Sequence, residues 1–271
     1  MTSLKILELR DFRRLWLGQA VSQFGDSLYF LIFLYMVEKL TGDPRLVGVV
    51  VAAQALPYLV LSFWAGALAD RIDRRLLMLG SDVVSAAIML AFAGYLAFQP
   101  KPPFAAILVV ALLLATVNVF FAPAKSAAIP RLVPPERLTE ANSLSMATQN
   151  LMPLIGLGLS ASVLGIVEAR MPNAFFFTSA LLNGLTFVYS ASCLARLPSI
   201  VPQRNDHEPT STWKDSVDGL KYVVHSPFLR MLMFMQVGLN FFIGPFLLVY
   251  VAVNKSWFGG QYWTLGTFEA S

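Results

Sequence analysis

The residue best placed to do chemistry in this sequence is an acid inside an apolar stretch. Asp26 sits within residues 15–37, flanked by Gly25, and shares its spacing with Gln19, Ser22 and Gln23 at i, i+3, i+4 and i+7. On a helix these four fall on one stripe. A carboxyl group in such surroundings works by taking up and releasing a proton, or by holding a cationic solute. Asn142, Ser145 and Gln149 repeat the spacing in a second apolar stretch, and Gln236 and Asn240 do so in a third. The stripes are expected to face a central cavity, lined further by Phe30, Phe33 and Met152, because polar groups are costly against lipid. Gln and Ser also glue helices together, so a packing role stays open for each.

A second group of charges lies in Gly66-Ala67-Leu68-Ala69-Asp70-Arg71-Ile72-Asp73-Arg74-Arg75. A carboxylate at a helix end can accept hydrogen bonds from a neighbouring helix N-terminus and pair with arginine. A contact that holds in one conformer and breaks in another acts as a latch. Arg71, Arg74 and Arg75 can also fix topology and bind anionic lipid. Enzyme signatures are missing: there is no Gly-x-Ser-x-Gly, phosphate loop or His-Glu-x-x-His. Two histidines and the single Cys193 are too scattered for a zinc site. No metal, cofactor or enzymatic activity is expected.

The elements that must position these groups follow from composition. Of 271 residues, 56% are apolar and 13% are charged, with a mean hydropathy of +0.64. Soluble domains carry about 25% charged residues, so the chain reads as an all-α polytopic membrane protein. Seven stretches are long enough to span: residues 15–37, 46–68, 76–98, 104–122, 141–167, 174–195 and 230–252. They lack the alternation of barrel strands. The first follows a charged segment and ends without a cleavage site, so it reads as a retained helix. The net charge of +4 is split into short clusters between apolar runs, which excludes a nucleic-acid stripe.

With the N-terminus inside, fifteen of the 20 Lys and Arg fall in inner segments. That bias predicts a cytoplasmic N-terminus. Three regions result: a six-helix transmembrane bundle at 1–196, a cytoplasmic linker at 197–229, and the start of a second bundle at 230–271. Within the linker, Trp213, Val217, Leu220 and Val224 share a helical face, which predicts a short amphipathic helix on the inner membrane surface. Arg13, Gln19 and Gln23 match Arg230, Gln236 and Asn240 at a constant offset of 217, as in a parallel repeat of two halves. An eighth helix begins near Thr264 and reaches Ser271 after about eight residues, too few to span. The chain therefore reads as cut inside that helix.

Residues 66–75 closely resemble the signature loop of the major facilitator superfamily, Gly-x-Leu-Ala-Asp-Arg-x-Gly-Arg-Arg, with Asp73 where glycine is common. Phe121-Ala122-Pro123-Ala124-Lys125, Leu132-Val133-Pro134-Pro135-Glu136-Arg137-Leu138 and Ala141-Asn142-Ser143-Leu144 add to this. So do Phe12-Arg13-Arg14-Leu15-Trp16 and Gly25-Asp26. Together they resemble the branch of macrolide-efflux and enterobactin-export proteins, over nearly the whole chain. The chain departs from many antiporters in helix 4, which has Thr116 and Asn118 in place of an inner arginine, with Lys125 at its end. The helix 5 Gly-Pro signature is reduced to Pro153, Gly156 and Gly158.

The resemblance implies a major facilitator fold of two six-helix bundles, with this chain as the N-terminal bundle, helix 7 and the start of helix 8. It implies a secondary active transporter in the bacterial plasma membrane, exporting a small drug-like or siderophore-like amphipathic solute against protons by alternating access. The partners would be that solute, protons, the bilayer and a missing C-terminal bundle, with no nucleic acid. Asp26, Gln19, Ser22, Gln23, Asn142, Ser145, Gln149, Gln236 and Asn240 would serve coupling and the cavity. Gly66, Asp70, Arg71, Arg74 and Arg75 would form the latch, with Asp70 joining the bundles. A lysophospholipid flippase and a non-transporting half-length membrane remnant are the alternatives.

Overall fold

In lipid a backbone must satisfy its own polar groups, so long apolar runs become helices. A computed structural model shows this arrangement for residues 5–170 and 174–201 and for 221–222, 224–232, 234–235, 238 and 253, with only the backbone described at 31, 44 and 157–170. A 3₁₀ turn, Lys5–Glu8, leads into six long helices among the described residues. They are α1 (Arg10–Thr41), α2 (Pro44–Ala69), α3 (Arg74–Phe98), α4 (Phe104–Leu132), α5 (Leu138–Arg170) and α6 (Phe175–Leu194). Over the described residues, α1, α2, α3, α4 and α6 are long and apolar enough to cross a membrane.

Local sequence sets the boundaries. Gly42 takes the left-handed conformation (φ 69°) and donates its N–H to the Glu38 carbonyl at 2.8 Å, which closes α1. Asp43 then caps α2 by accepting from the Arg45 N–H at 2.9 Å, with Pro44 in the first turn. Asp73 caps α3 in the same way, through the Arg75 N–H at 2.9 Å.

The fourth helix departs from expectation. It does not stop at residue 122 but continues through Pro123 and Pro130 to Leu132. Each proline removes one backbone bond, a loss that membrane helices tolerate. Lys125, counted above with an inner loop, therefore stands within α4.

α6 lies against both α1 and α3; α1 also packs on α5, α3 on α4, and α2 on α4. Lipid tails are as apolar as leucine, so such contacts depend on close approach. Gly25 provides it between α1 and α6. A Cβ there would lie 2.1 Å from Thr186 Oγ1 and 2.8 Å from Asn183 Oδ1. Gly156 does the same between α5 and α1, where a Cβ would stand 2.6 Å from that of Ser27. α2 turns Leu56, Leu59, Val60 and Trp64 outward, and Phe98 at the end of α3 is 93% exposed. Those apolar surfaces are suited to a bilayer.

The described residues from Lys221 onward belong to a second unit. They include helical turns in which Arg230 N–H donates to Ser226 O at 3.0 Å. Most of the linker, the amphipathic face at Trp213, Val217 and Leu220, the bulk of helix 7 with Gln236 and Asn240, and the start of helix 8 lie outside the described residues.

The Gly25 contact makes a direct prediction. Gly25→Ala forces α1 off α6 and lowers the thermal unfolding midpoint of the detergent-solubilised protein. Adding Thr186→Ala removes the nearest clashing atom and recovers part of the loss. Equal midpoints for Gly25→Ala and the unsubstituted protein would show that the two helices do not meet here.

Candidate functional site

The charged end of the bundle is built around helix carbonyls. α2, α4 and α6 end where α1, α3 and α5 begin. Arg74 Nη1 donates to Ala127 O of α4 at 3.0 Å, and its Nε to Ala69 O of α2 at 3.4 Å. Arg75 Nε donates to Leu194 O of α6 at 3.2 Å, and Nη2 reaches Ala195 O. Arg14 Nη1 donates to Arg196 O at 2.7 Å and pairs with Asp11 at 3.1 Å. Below lies an apolar cluster that includes Phe12, Leu15, Met78, Ala124, Ala128 and Leu194.

Asp73 joins the same assembly. Besides capping α3, its carboxylate accepts from Ser199 Oγ at 2.6 Å and from the Ile200 N–H at 2.9 Å. The start of the segment after α6 is thereby held on α3. Slight burial pushes the Asp73 carboxyl up, but the bonds from Ser199, Ile200, Arg75 and Leu76 outweigh it and hold it below its ordinary range.

Asp70 differs from its neighbours. It is the exposed C-cap of α2, and its carboxylate makes no hydrogen bond or ion pair among the described residues. Arg71 is exposed as well. A Cβ on Gly66 would meet nothing within 4 Å. Of the five latch candidates, Arg74 and Arg75 thus bind helix carbonyls within the bundle, while the Asp70 carboxylate does not pair among the described residues.

The α1 stripe divides between two neighbours. Asp26 lies beside Asn183 of α6. It is part of a polar seam where α1 and α3 meet α6, with buried Ser22, Asp82, Ser85, Asn183 and Ser190. Among the described residues, three seam atoms are buried without a hydrogen-bond partner: Asp82 Oδ2, Asn183 Nδ2 and Ser190 Oγ. Gln19 and Gln23 instead line a narrow cleft. Phe12, Leu15 and Trp16 of α1, Lys125 of α4, and Ser145 and Thr148 of α5 complete it. Trp16 Nε1 donates to Thr148 Oγ1 at 2.8 Å, which ties α1 to α5.

Among the described residues these side chains do not share one cleft. Ser145 joins Gln19 and Gln23, whereas Asn142 and Gln149 are exposed on α5 and line no part of the cleft. Phe33 is buried and stacks near Tyr29 with ring centroids 5.2 Å apart; Phe30 is 39% exposed. Sequence reasoning missed Trp16, Lys125 and Thr148 as lining residues. The signal for Lys125 was present: the small buried Ala124 and Ala128 continue the helical spacing past Pro123.

The family profile of the Major Facilitator Superfamily matches residues 15–268. The chain belongs to this superfamily. Macrolide efflux protein A of Streptococcus pyogenes is 24% identical over 250 residues, covering 92% of this chain and 60% of its own. An uncharacterized MFS-type transporter of Mycobacterium tuberculosis is 32% identical over 155 residues, 56% of this chain and 34% of its own. The chain thus spans about 60% of the first relative's length and less of the second's. A crystal structure of a mutant peptide transporter POT in complex with sulfate superposes with a TM-score of 0.51 at 18% identity. It covers 90% of this chain and 52% of the other, which shows a shared fold. Within that major facilitator fold, the Asp73 clamp stands where the superfamily loop resembled above commonly has glycine.

Loss of an aspartate cap costs about 1 kcal/mol, and Asp73→Ala also releases Ser199 and Ile200. The variant should unfold at a lower temperature at neutral pH. The folded-state carboxyl of Asp73 is depressed, so its contribution is full above the unfolded value near pH 4 and fades as pH falls through the lower folded value. The gap between the two proteins should therefore close on acidification, followed by thermal unfolding at stepped pH. A gap independent of pH would mean that the carboxylate contacts do not form.

Proposed function

We propose that the chain is the N-terminal part of a secondary active transporter in a bacterial plasma membrane, exporting a small amphipathic solute in exchange for protons by alternating access. The observation that carries the coupling is Asp26 against Asn183 in an interior seam with unpartnered polar atoms. Isolated buried polar groups cost about 1–3 kcal/mol each, so a contact serving packing alone has no reason to retain them. An acid there can exchange a proton with water as access alternates. The titratable side chains that interact with it from neighbouring helices are Tyr58 of α2 and Asp82 of α3. Relatives named for macrolide efflux support export as the direction.

The test uses protein expressed from the complete reading frame, in proteoliposomes carrying an imposed pH gradient. Asp26→Asn should insert normally and lose the dependence of efflux on that gradient. Efflux with an unchanged pH dependence would remove Asp26 from the mechanism.

The N-terminus is placed in the cytoplasm on the strength of the loop charges. Asp70, exposed and free of bundle contacts, is the member of the loop available to reach a second bundle. Cysteines at Thr41 and Lys101 should label from outside intact cells, and one at Ser199 only from inside. Asp70→Asn should then shift the balance of labelling at cavity-facing positions and slow transport. Reversed labelling would overturn the topology; unchanged accessibility with normal transport would remove the latch.

A further inference from the structure

Behind Asp26 stands a second acid inside the bundle. Asp82 of α3 is 3% exposed, and its Oδ2 is buried without a hydrogen-bond partner among the described residues. Nor does it form an ion pair there. Contacts on α6 fix its level. α6 runs opposite to α1 and α3, since Leu194 and Arg196 near its end meet Arg75 and Arg14 near their starts. A Cβ on Gly25 would lie 2.8 Å from Asn183 Oδ1, and one on Gly18 would lie 3.1 Å from Ser190 Oγ. Leu90 of α3 stands against Gly184, and Asp82, nearer the charged end of α3, lies beside Ser190. Asp26 with Asn183 thus marks one level, and Asp82 with Ser190 another, about 10 Å of helix rise closer to the charged end.

Hydroxyls occupy the interval. Ser22 falls between Gly18 and Gly25 on α1, and Ser85 between Asp82 and Leu90 on α3; both are buried. Ser190 is 0% exposed and Asn183 is 2% exposed, and the Oγ of the one and the Nδ2 of the other have no partner among the described residues. A hydroxyl both donates and accepts, so it can take up one proton as it gives up another. Ionisable groups within membrane spans commonly mark proton relays. The other titratable side chains along the seam are Tyr29 of α1, a turn beyond Asp26, Tyr58 of α2, which interacts with Asp26, and Cys193 of α6, beside Gly18. None of these three is a cation that would pin Asp82 as a carboxylate.

We propose that Asp82 is a second proton station of this bundle, taking the proton released by Asp26 and delivering it past Ser190 to the charged end. In the step, Asp26 gives its carboxyl proton to a hydroxyl or water oxygen in the seam as that group gives one of its own onward. Asp26 ends as the carboxylate and Asp82 as the acid, and Asp82 then releases the proton to water at the charged end. Only O–H bonds break and form, and charge is conserved. That this proton drives export rests on the transporter reading; the route itself does not. The competing role for Asp82 is to hold α3 on α6 beside Ser190, and the experiment separates the two.

The test uses protein from the complete reading frame in phosphatidylcholine nanodiscs and needs no solute. Protons are released by photolysis of a caged acid. The carboxyl stretch of Asp26, assigned by its loss in Asp26→Asn, is followed by time-resolved infrared absorption. Asp82→Asn should slow the rise of that band roughly a hundredfold, the lower end of what a positioned proton-transfer group contributes. Asp82→Glu should keep most of the rate. Sodium azide, whose acid form is small enough to carry protons into buried sites, should restore it in Asp82→Asn. A rate unchanged in Asp82→Asn, or slowed beyond rescue by azide, overturns the proposal and leaves Asp82 a packing residue; an Asp26 that never protonates overturns it too. If Asp82→Asn does not insert, Ser85→Ala gives the same comparison: a slower rise supports the route and an unchanged one overturns it. A relay that passes this test in a protein without efflux driven by a pH gradient would sink the transporter reading alone.

Discussion

Carbonyls at the ends of three helices constrain the whole bundle. A helix leaves its last four C=O groups without intrahelical donors, and α2, α4 and α6 all finish at one end. Arg74 and Arg75, adjacent in sequence at the start of α3, serve the ends of α2 and α6 through Ala69, Leu194 and Ala195, and Arg74 also reaches Ala127 O about a turn inside the end of α4. Guanidinium suits this task because its donors are held in a fixed planar fork and its charge is permanent. A cation near a helix C-terminus also gains from the macrodipole. The arginines that a charge count reads as topology are thus also the ties that hold the helix ends in register. With Arg74 and Arg75 engaged in this way and Asp73 on the following segment, Asp70 remains free to meet something outside the bundle.

The interior is organised on the opposite principle. At the charged end Arg14, Arg74 and Arg75 are matched to backbone carbonyls, and an apolar cluster fills the space beneath. Along α6, by contrast, α1 and α3 bring polar groups into close contact without pairing them fully. The close approach at Gly25 presses α1 onto Asn183 and Thr186, while Asp82 and Ser190 keep unpartnered atoms a turn or two away. Buried polar groups in native proteins are usually satisfied, and exceptions call for a reason. A well-tied end and an under-paired middle in one bundle are what a device needs if it must keep its shape while a proton or water enters its core.

Much of this was legible in the sequence because membrane spans are written in composition. Five of the six spans expected before residue 196 agree with the helices to within about five residues at either end. The end of α4 was misread because proline is a breaker in water and a tolerated residue in a membrane helix. The stripe Gln19, Ser22, Gln23 and Asp26 was real, but its partners were not readable. At about 100° per residue, these positions cover an arc of roughly 100°, wide enough for two neighbouring elements to divide it. Gln19 and Gln23 fall on the side of Trp16 and Phe12; Ser22 and Asp26 fall toward Gly18 and Gly25, which face α6. Spacing identifies a face, and only packing decides what it meets. The Asp73 clamp was hidden for another reason, since its partners Ser199 and Ile200 lie more than 120 residues away.

That division of α1 bears on how one fold accommodates different solutes. Asp26 stands against α6, in a seam set by close glycine packing, where a larger or differently charged side chain would disturb three helices at once. Lys125 stands about 10 Å of helix rise from the end of α4, on the wall of a cleft that shares Phe12 and Leu15 with the apolar cluster. Fold is shared far more widely than binding chemistry. At 24% identity, a relative named for macrolide efflux can keep the first kind of position and differ at the second. The names of its relatives therefore do not by themselves carry a solute over to this chain.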